Sequence, residues 1–125
     1  MSKQKLEQIE KSLETLEQKV SAICSPFESN NISVHGSLYN DQVMFYVTNK
    51  LVGKIVRVLT VGAEEEIRYM SDHTSPLTLE TQILIEEEIL NAFKAIFPMK
   101  KELMTICKMR EEYIIEENKI IKGAK

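Results

Sequence analysis

Between Lys54 and Met70 the chain reads KIVRVLTVGAEEEIRYM, two β-prone runs that meet at Gly62-Ala63. A Gly-X pair between such runs suits a two-residue type II′ turn, so the segment predicts a β-hairpin around which the rest of the chain must be arranged. With Gly62 and Ala63 as the loop residues, Val61 faces Glu64 and Arg57 falls opposite Arg68. One face then carries Val56, Val58, Ile67 and Tyr69, an apolar set ready for a core. The other carries Arg57, Leu59, Glu66 and Arg68. Like charges directly opposite on a ladder destabilise it. Two facing arginines therefore call for an anion between them, or for separate partners among Glu64, Glu66 and other carboxylates. A slip of one residue in register would move Arg57 off Arg68 and exchange the two faces.

Two more strands precede the hairpin, Ile32 to Leu38 and Gln42 to Thr48, around a turn at Tyr39-Asn40-Asp41. Asn49-Lys50 forms the next turn, and Gly53 reads as a bulge. Four consecutive strands with short connections make an antiparallel meander over residues 32–70. Val43, Phe45 and Val47 share one face, with Met44 and Tyr46 on the other. A sheet apolar on both faces is expected to be covered twice, by its own helices and by a second subunit.

Flanking segments have helical periodicity. Over residues 3–23, Leu6, Ile9, Leu13, Leu16, Val20 and Ile23 are spaced 3, 4, 3, 4, 3, an a/d stripe with polar residues nearly everywhere else. So narrow a seam points to a partner helix, and with Leu6 at a, Lys5 and Glu10 fall at g and e, placed to attract between parallel copies. The segment reads as an oligomerisation helix; the alternative is packing along its own domain. The stretch from Ser25 to Asn31 is a connecting loop. Ser75 is placed to cap a helix over 75–97 with Pro76 in its first turn. That helix carries two apolar stripes, Leu79, Ile83, Leu90, Phe93 and Phe97, and Ile85, Ile89 and Ile96, as a helix buried on more than one side would. Pro98 breaks it, and a last helix over 99–122 presents Leu103, Ile106, Cys107, Ile114 and Ile121. The fold class is α+β: an N-terminal helix, a four-stranded antiparallel meander and two C-terminal helices.

The whole chain, 1–125, is long enough for one domain that buries roughly two thirds of its unfolded surface. A net charge of -3 and a pI near 5.5 argue against bulk affinity for nucleic acid, while leaving room for a local basic pocket. No apolar run reaches the length of a membrane span, and residues 1–23 are too charged for a signal peptide, so action in the cytoplasm is expected. In that setting Cys24 and Cys107, far apart in the chain, read as buried thiols and not as a disulfide.

No P-loop, G-x-G-x-x-G, H-E-x-x-H, C-x-x-C or G-x-S-x-G motif is present. Neither His35 nor His73 stands in recognisable relation to a nucleophile. Cys24, His35, His73 and Cys107 lack the local ligand pair of a zinc site. The runs Glu64–Glu66 and Glu86–Glu88 read as solvated charge. Catalysis, cofactor and metal are therefore not expected. Thirteen lysines against three arginines, with fourteen isoleucines, make each arginine a position worth examining. Arg57, Arg68 and Arg110 all fall where they could point into structure, Arg110 lying between Ile106 and Ile114 on an apolar helix face. Guanidinium suits two-pronged contacts to phosphate or carboxylate. The three could build a small anionic-ligand pocket, or each could form a structural ion pair with one of nineteen acidic residues.

A small acidic chain with a sheet, two C-terminal helices, multimer signals and inward arginines from different elements resembles the phage-encoded Thoeris anti-defence proteins of the first described type. Those are non-enzymatic sponges for cyclic ADP-ribose isomers made by bacterial TIR-domain proteins. The resemblance covers nearly the whole chain and rests on layout and arginine placement. It implies a homo-oligomer in the host cytoplasm that sequesters a small anionic nucleotide without turnover. Arginines such as Arg57 and Arg110 would grip phosphates, and Phe45 and Tyr113 would stack on adenine. The layout also matches a small nucleoid-associated family with helix, meander and helix, against which the acidic balance and the long helix after Pro98 argue. A third possibility is a homo-oligomeric adaptor or inhibitor, in which the arginines are ion pairs and nothing small binds.

Overall fold

The computed structural model describes residues 2–70 and 76–123. Its elements are helix α1 (Ser2–Cys24), strands β1 (Ile32–Leu38), β2 (Gln42–Asn49), β3 (Lys54–Gly62) and β4 (Glu66–Tyr69), helix α2 (Leu79–Ile96) and helix α3 (Lys100–Gly123). Short 3-10 turns, Ser25–Phe27 and Phe97–Met99, follow α1 and α2, each with a proline in its first positions. The strands lie in the order β1-β2-β3-β4, every neighbouring pair antiparallel, which is the α+β meander the sequence predicts.

Strict alternation along β2 decides which side of the sheet the helices occupy. Val43, Phe45 and Val47 are fully buried, and their cross-strand neighbours Leu59 and Val61 on β3 and Val34 on β1 are buried with them. They join Leu16, Val20 and Cys24 of α1, Ile85, Ile89, Phe93 and Ile96 of α2, and Leu103, Ile106 and Cys107 of α3 in one core cluster. The opposite face carries Ser33, His35 and Ser37, Met44 and Tyr46, Val58 and Thr60, Glu66 and Arg68, none of them in that cluster. Between Val47 and Thr48 the β2–β3 register shifts by one residue, a bulge that lets Val56 reach the core beside Arg57.

The helices pack in the same layer. α1 lies against α3 and β1, and α3 also crosses β2 and β3. Gly36 is what lets α1 approach: a Cβ there would stand 2.3 Å from Val20 Cγ1 and 3.4 Å from the Phe45 ring. Ile9, Leu16 and Val20 of the a/d stripe are buried within the chain. The buried part of the stripe therefore packs within the chain, against α3 and β1, as the alternative of packing along its own domain predicts. Both cysteines are free and buried. Among the described residues no helix is long and apolar enough to cross a membrane.

Several expectations are corrected. In the β3–β4 hairpin Arg57 pairs with Tyr69, Val58 with Arg68, Leu59 with Ile67 and Thr60 with Glu66, one residue away from the register that a two-residue turn gives. Gly62 is not a loop residue but the last residue of β3, paired with Gln42. Its φ is +147°, and a Cβ would lie 2.3 Å from the Asp41 carbonyl oxygen. Ala63 N–H donates to that same carbonyl, so the β1–β2 turn holds the β3–β4 turn. The faces exchange accordingly, with Leu59, Ile67 and Tyr69 on the helix side and Val58 on the other. Gly53 sits in the β2–β3 turn, its N–H bonded to Asn49 O, and the bulge lies further along at Val56. α2 begins at Leu79, capped by the Thr78 hydroxyl, which accepts from Thr81 N; Pro76 precedes it, and Ser75 and His73 lie outside the described residues.

Candidate functional site

The slip in register removes the facing arginines and substitutes a different pair. Arg57 and Tyr69 stand directly opposite on β3 and β4, on the helix side, with the guanidinium carbon 4.5 Å from the ring centroid. A cation over an aromatic face is attracted by the ring quadrupole. The remaining groups of Arg57 are held from two directions. Nη1 donates to Val56 O at 2.7 Å and Nη2 pairs with Glu86 of α2, while Nε is buried with no hydrogen-bond partner. The side chain is only 16 % exposed.

This arginine lies in a groove of about 650 Å³ between α2 and the β3–β4 ladder. Val56, Arg57, Tyr69 and Met70 come from the sheet side, Leu79, Gln82, Ile83, Glu86 and Leu90 from α2, and Asn49 closes one end. Its existence follows from how α2 is oriented. The stripe Ile85, Ile89, Ala92, Phe93 and Ile96 faces the core, which leaves Leu79, Ile83, Leu84 and Leu90 exposed. α2 is thus buried on one side only, and its second apolar stripe borders the groove. All four residues of β4 are exposed, among them Ile67 and Tyr69 on the helix side. A mostly apolar cleft of this size, with few polar groups converging on it, is the usual form of a small-molecule site.

The other arginines stand elsewhere. Arg68 is on the opposite face of the sheet, 59 % exposed, with Nε 3.3 Å from Glu66 Oε2 on its own strand. Arg110 donates from Nη1 to Asn40 Oδ1 at 3.2 Å near the β1–β2 turn, and lines a smaller depression with Glu17, Val20 and Ser37. Within one chain the three guanidinium groups do not converge. Phe45 is fully buried beneath α1, so it offers no face to a ligand; Tyr113 is partly buried against the core from α3. The glutamate runs are divided among separate partners: Glu86 with Arg57, Glu88 with Ser29, Glu65 with Lys100 and Glu66 with Arg68. His35 lies on the uncovered sheet face, its Nε2 3.1 Å from Ser33 Oγ. The sequence reading gave Tyr69 to an apolar core face and Glu86 to solvated charge; the correct hairpin register would have brought Tyr69 opposite Arg57.

Burial pushes the Cys24 thiol up to about 11. It raises Cys107 too, against the opposing pull of the nearby Arg110 guanidinium. Neither cysteine is a ready nucleophile, because only the thiolate attacks.

Compared with protein-family models, curated proteins and solved structures, the chain finds no match.

Proposed function

We propose that this chain is a non-catalytic binding protein that holds a small anionic molecule with a flat ring, of the cyclic-nucleotide class, in the groove between α2 and β4. The observation that carries the reading is Arg57: a guanidinium stacked on an aromatic ring and nearly withdrawn from water, at the base of an apolar cleft. Burying a permanent charge is costly unless it is paired, and here Glu86 does the pairing from the rim, 42 % exposed. A ligand phosphate is a stronger bidentate partner for guanidinium than one carboxylate oxygen, so it can take the place of Glu86. Tyr69 and the exposed Leu79, Ile83 and Leu90 offer apolar surface to the rest of the molecule. Sequestration of a cyclic ADP-ribose type immune signal, the role suggested by resemblance to the Thoeris anti-defence sponges, is the specific form of this proposal. It now rests on Arg57 alone among the three arginines.

Native mass spectrometry of protein taken directly from cells, followed by titration with cyclic ADP-ribose isomers, tests it. A retained anionic small molecule, released unchanged on heating and lost in Arg57→Ala with an unaltered circular dichroism spectrum, supports the reading. Binding that Arg57→Ala leaves intact overturns it. A second reading is an interaction protein, favoured by the exposed stripe Leu79, Ile83 and Leu90 beside Tyr69 and Met70. It predicts no small-molecule titration and loss of a protein complex on Ile83→Asp.

A further inference from the structure

Among the described residues nothing pairs with the outer edge of β4, and the sequence of the strand complements itself. Among the described residues β4 is the last strand of the sheet, and all four of its residues are exposed. Met70 N–H donates to Val56 O at 2.9 Å. By the alternation of an antiparallel ladder, Arg68 and Glu66 also turn their backbone groups toward β3, while Ile67 and Tyr69 turn theirs outward. Such a row of unpaired donors and acceptors is a template for another strand.

The geometry points to a second copy of this chain as that strand, joined antiparallel across a two-fold axis at Ile67. In that arrangement Ile67 pairs with the partner subunit's Ile67 through the two outward backbone groups of each. Glu66 of each copy stands opposite Arg68 of the other, so both cross-strand charge pairs are attractive. Shifting the pairing centre onto Glu66 or Arg68 would instead oppose two like charges at the axis, so the charges select the Ile67 register. Among the described residues Arg68 has Glu66 of its own strand as its ion-pair partner, and that contact is exposed. The new pairs need no buried group to be released.

A two-fold axis perpendicular to the sheet keeps the helices of both copies on one side. The exposed Ile67 and Tyr69 of both strands then form a shared apolar floor, flanked by the exposed Leu79, Ile83 and Leu90 of each α2. This surface supplies the area that a four-residue strand lacks, since stable interfaces bury roughly 800 Å² per partner. The two meanders merge into one continuous antiparallel sheet. Tyr69, Leu79, Ile83 and Leu90 also line the Arg57 groove, so the seam adjoins that groove, but charge reversal at Glu66 and Arg68 reads assembly and not ligand binding.

Light scattering on the full chain across a concentration series gives the first result: a dimer at twice the 14.4 kDa of one chain. Charge reversal assigns it to β4. E66R and R68E each place like charges opposite at both symmetric pairs and raise the dimer dissociation constant by about tenfold. The double variant E66R/R68E restores the homodimer, and mixing the two single variants gives a heterodimer. Circular dichroism confirms that each variant is folded. A monomeric wild-type chain overturns the proposal. So does a dimer that single charge reversal leaves unchanged, or one that E66R/R68E fails to restore.

Discussion

Arg57 is ion-paired with Glu86, and the proposed grip on a ligand anion would compete for the same nitrogens. Glu86→Gln keeps the shape of the groove and removes the competing charge. It should tighten binding of an anionic nucleotide severalfold in isothermal titration; weaker binding would mean that Glu86 helps to hold the ligand. Cys24 gives a prediction of a different kind. Its thiol ionises near 9.0 when unfolded and near about 11 when folded. In that window the unfolded chain has given up a proton that the folded chain still holds, so stability falls as pH rises from about 9 toward about 11 and is unaffected below it. Urea midpoints measured across this window should decline more steeply for the wild type than for Cys24→Ala. Cys107 and Tyr46 are raised as well, Cys107 by burial and Tyr46 first by the neighbouring Tyr39 hydroxyl, and sustain the remaining slope.

Among the elements, the strands are where the sequence is most informative, because alternation sets them directly. The ends of β1 and the start of β2 fall where the Tyr39-Asn40-Asp41 turn places them, and Pro98 separates α2 from α3 as expected. Hairpin register is less legible. It depends on whether Gly62 belongs to the loop or to the strand, and that is decided by Asp41 of the β1–β2 turn and Gln42 of β2, which stand against it. The start of α2 has a similar ambiguity, with several hydroxyls available as caps. The Thr78 hydroxyl is the one that accepts from Thr81 N, so Thr78→Ala should cost about 1 kcal/mol in chemical denaturation. Contact between α1 and β1 turns on Gly36. Val20 is branched at Cβ and locked in the core, so it yields little to a methyl group 2.3 Å from its Cγ1. Gly36→Ala should destabilise the protein by about 1–3 kcal/mol, and an unchanged melting temperature would show that α1 shifts without strain.

For the molecule as a whole, the a/d stripe of α1 gives the sharpest test of where its partner lies. With Leu16 2 % exposed in the shared core, Leu16→Ala should cost roughly 2–5 kcal/mol of unfolding free energy at any protein concentration. A loss that grows on dilution would instead mean that the stripe binds another copy. The periodicities of residues 3–23, 32–60 and 79–122 determine by themselves the α+β class and the order of elements, because each is a local match between side-chain spacing and backbone repeat. They do not say which helix answers which stripe. A narrow seam can be filled equally by a second chain or by α3, and only the packing of α3 across β2 and β3 decides it. Nor does spacing reveal that one arginine lies under an aromatic ring, a second on the far face of the sheet and a third beside the β1–β2 turn. Their separation follows from a one-residue register and from the side of α2 that meets the core. Both are settled by contacts between segments distant in sequence, where local pattern carries no information.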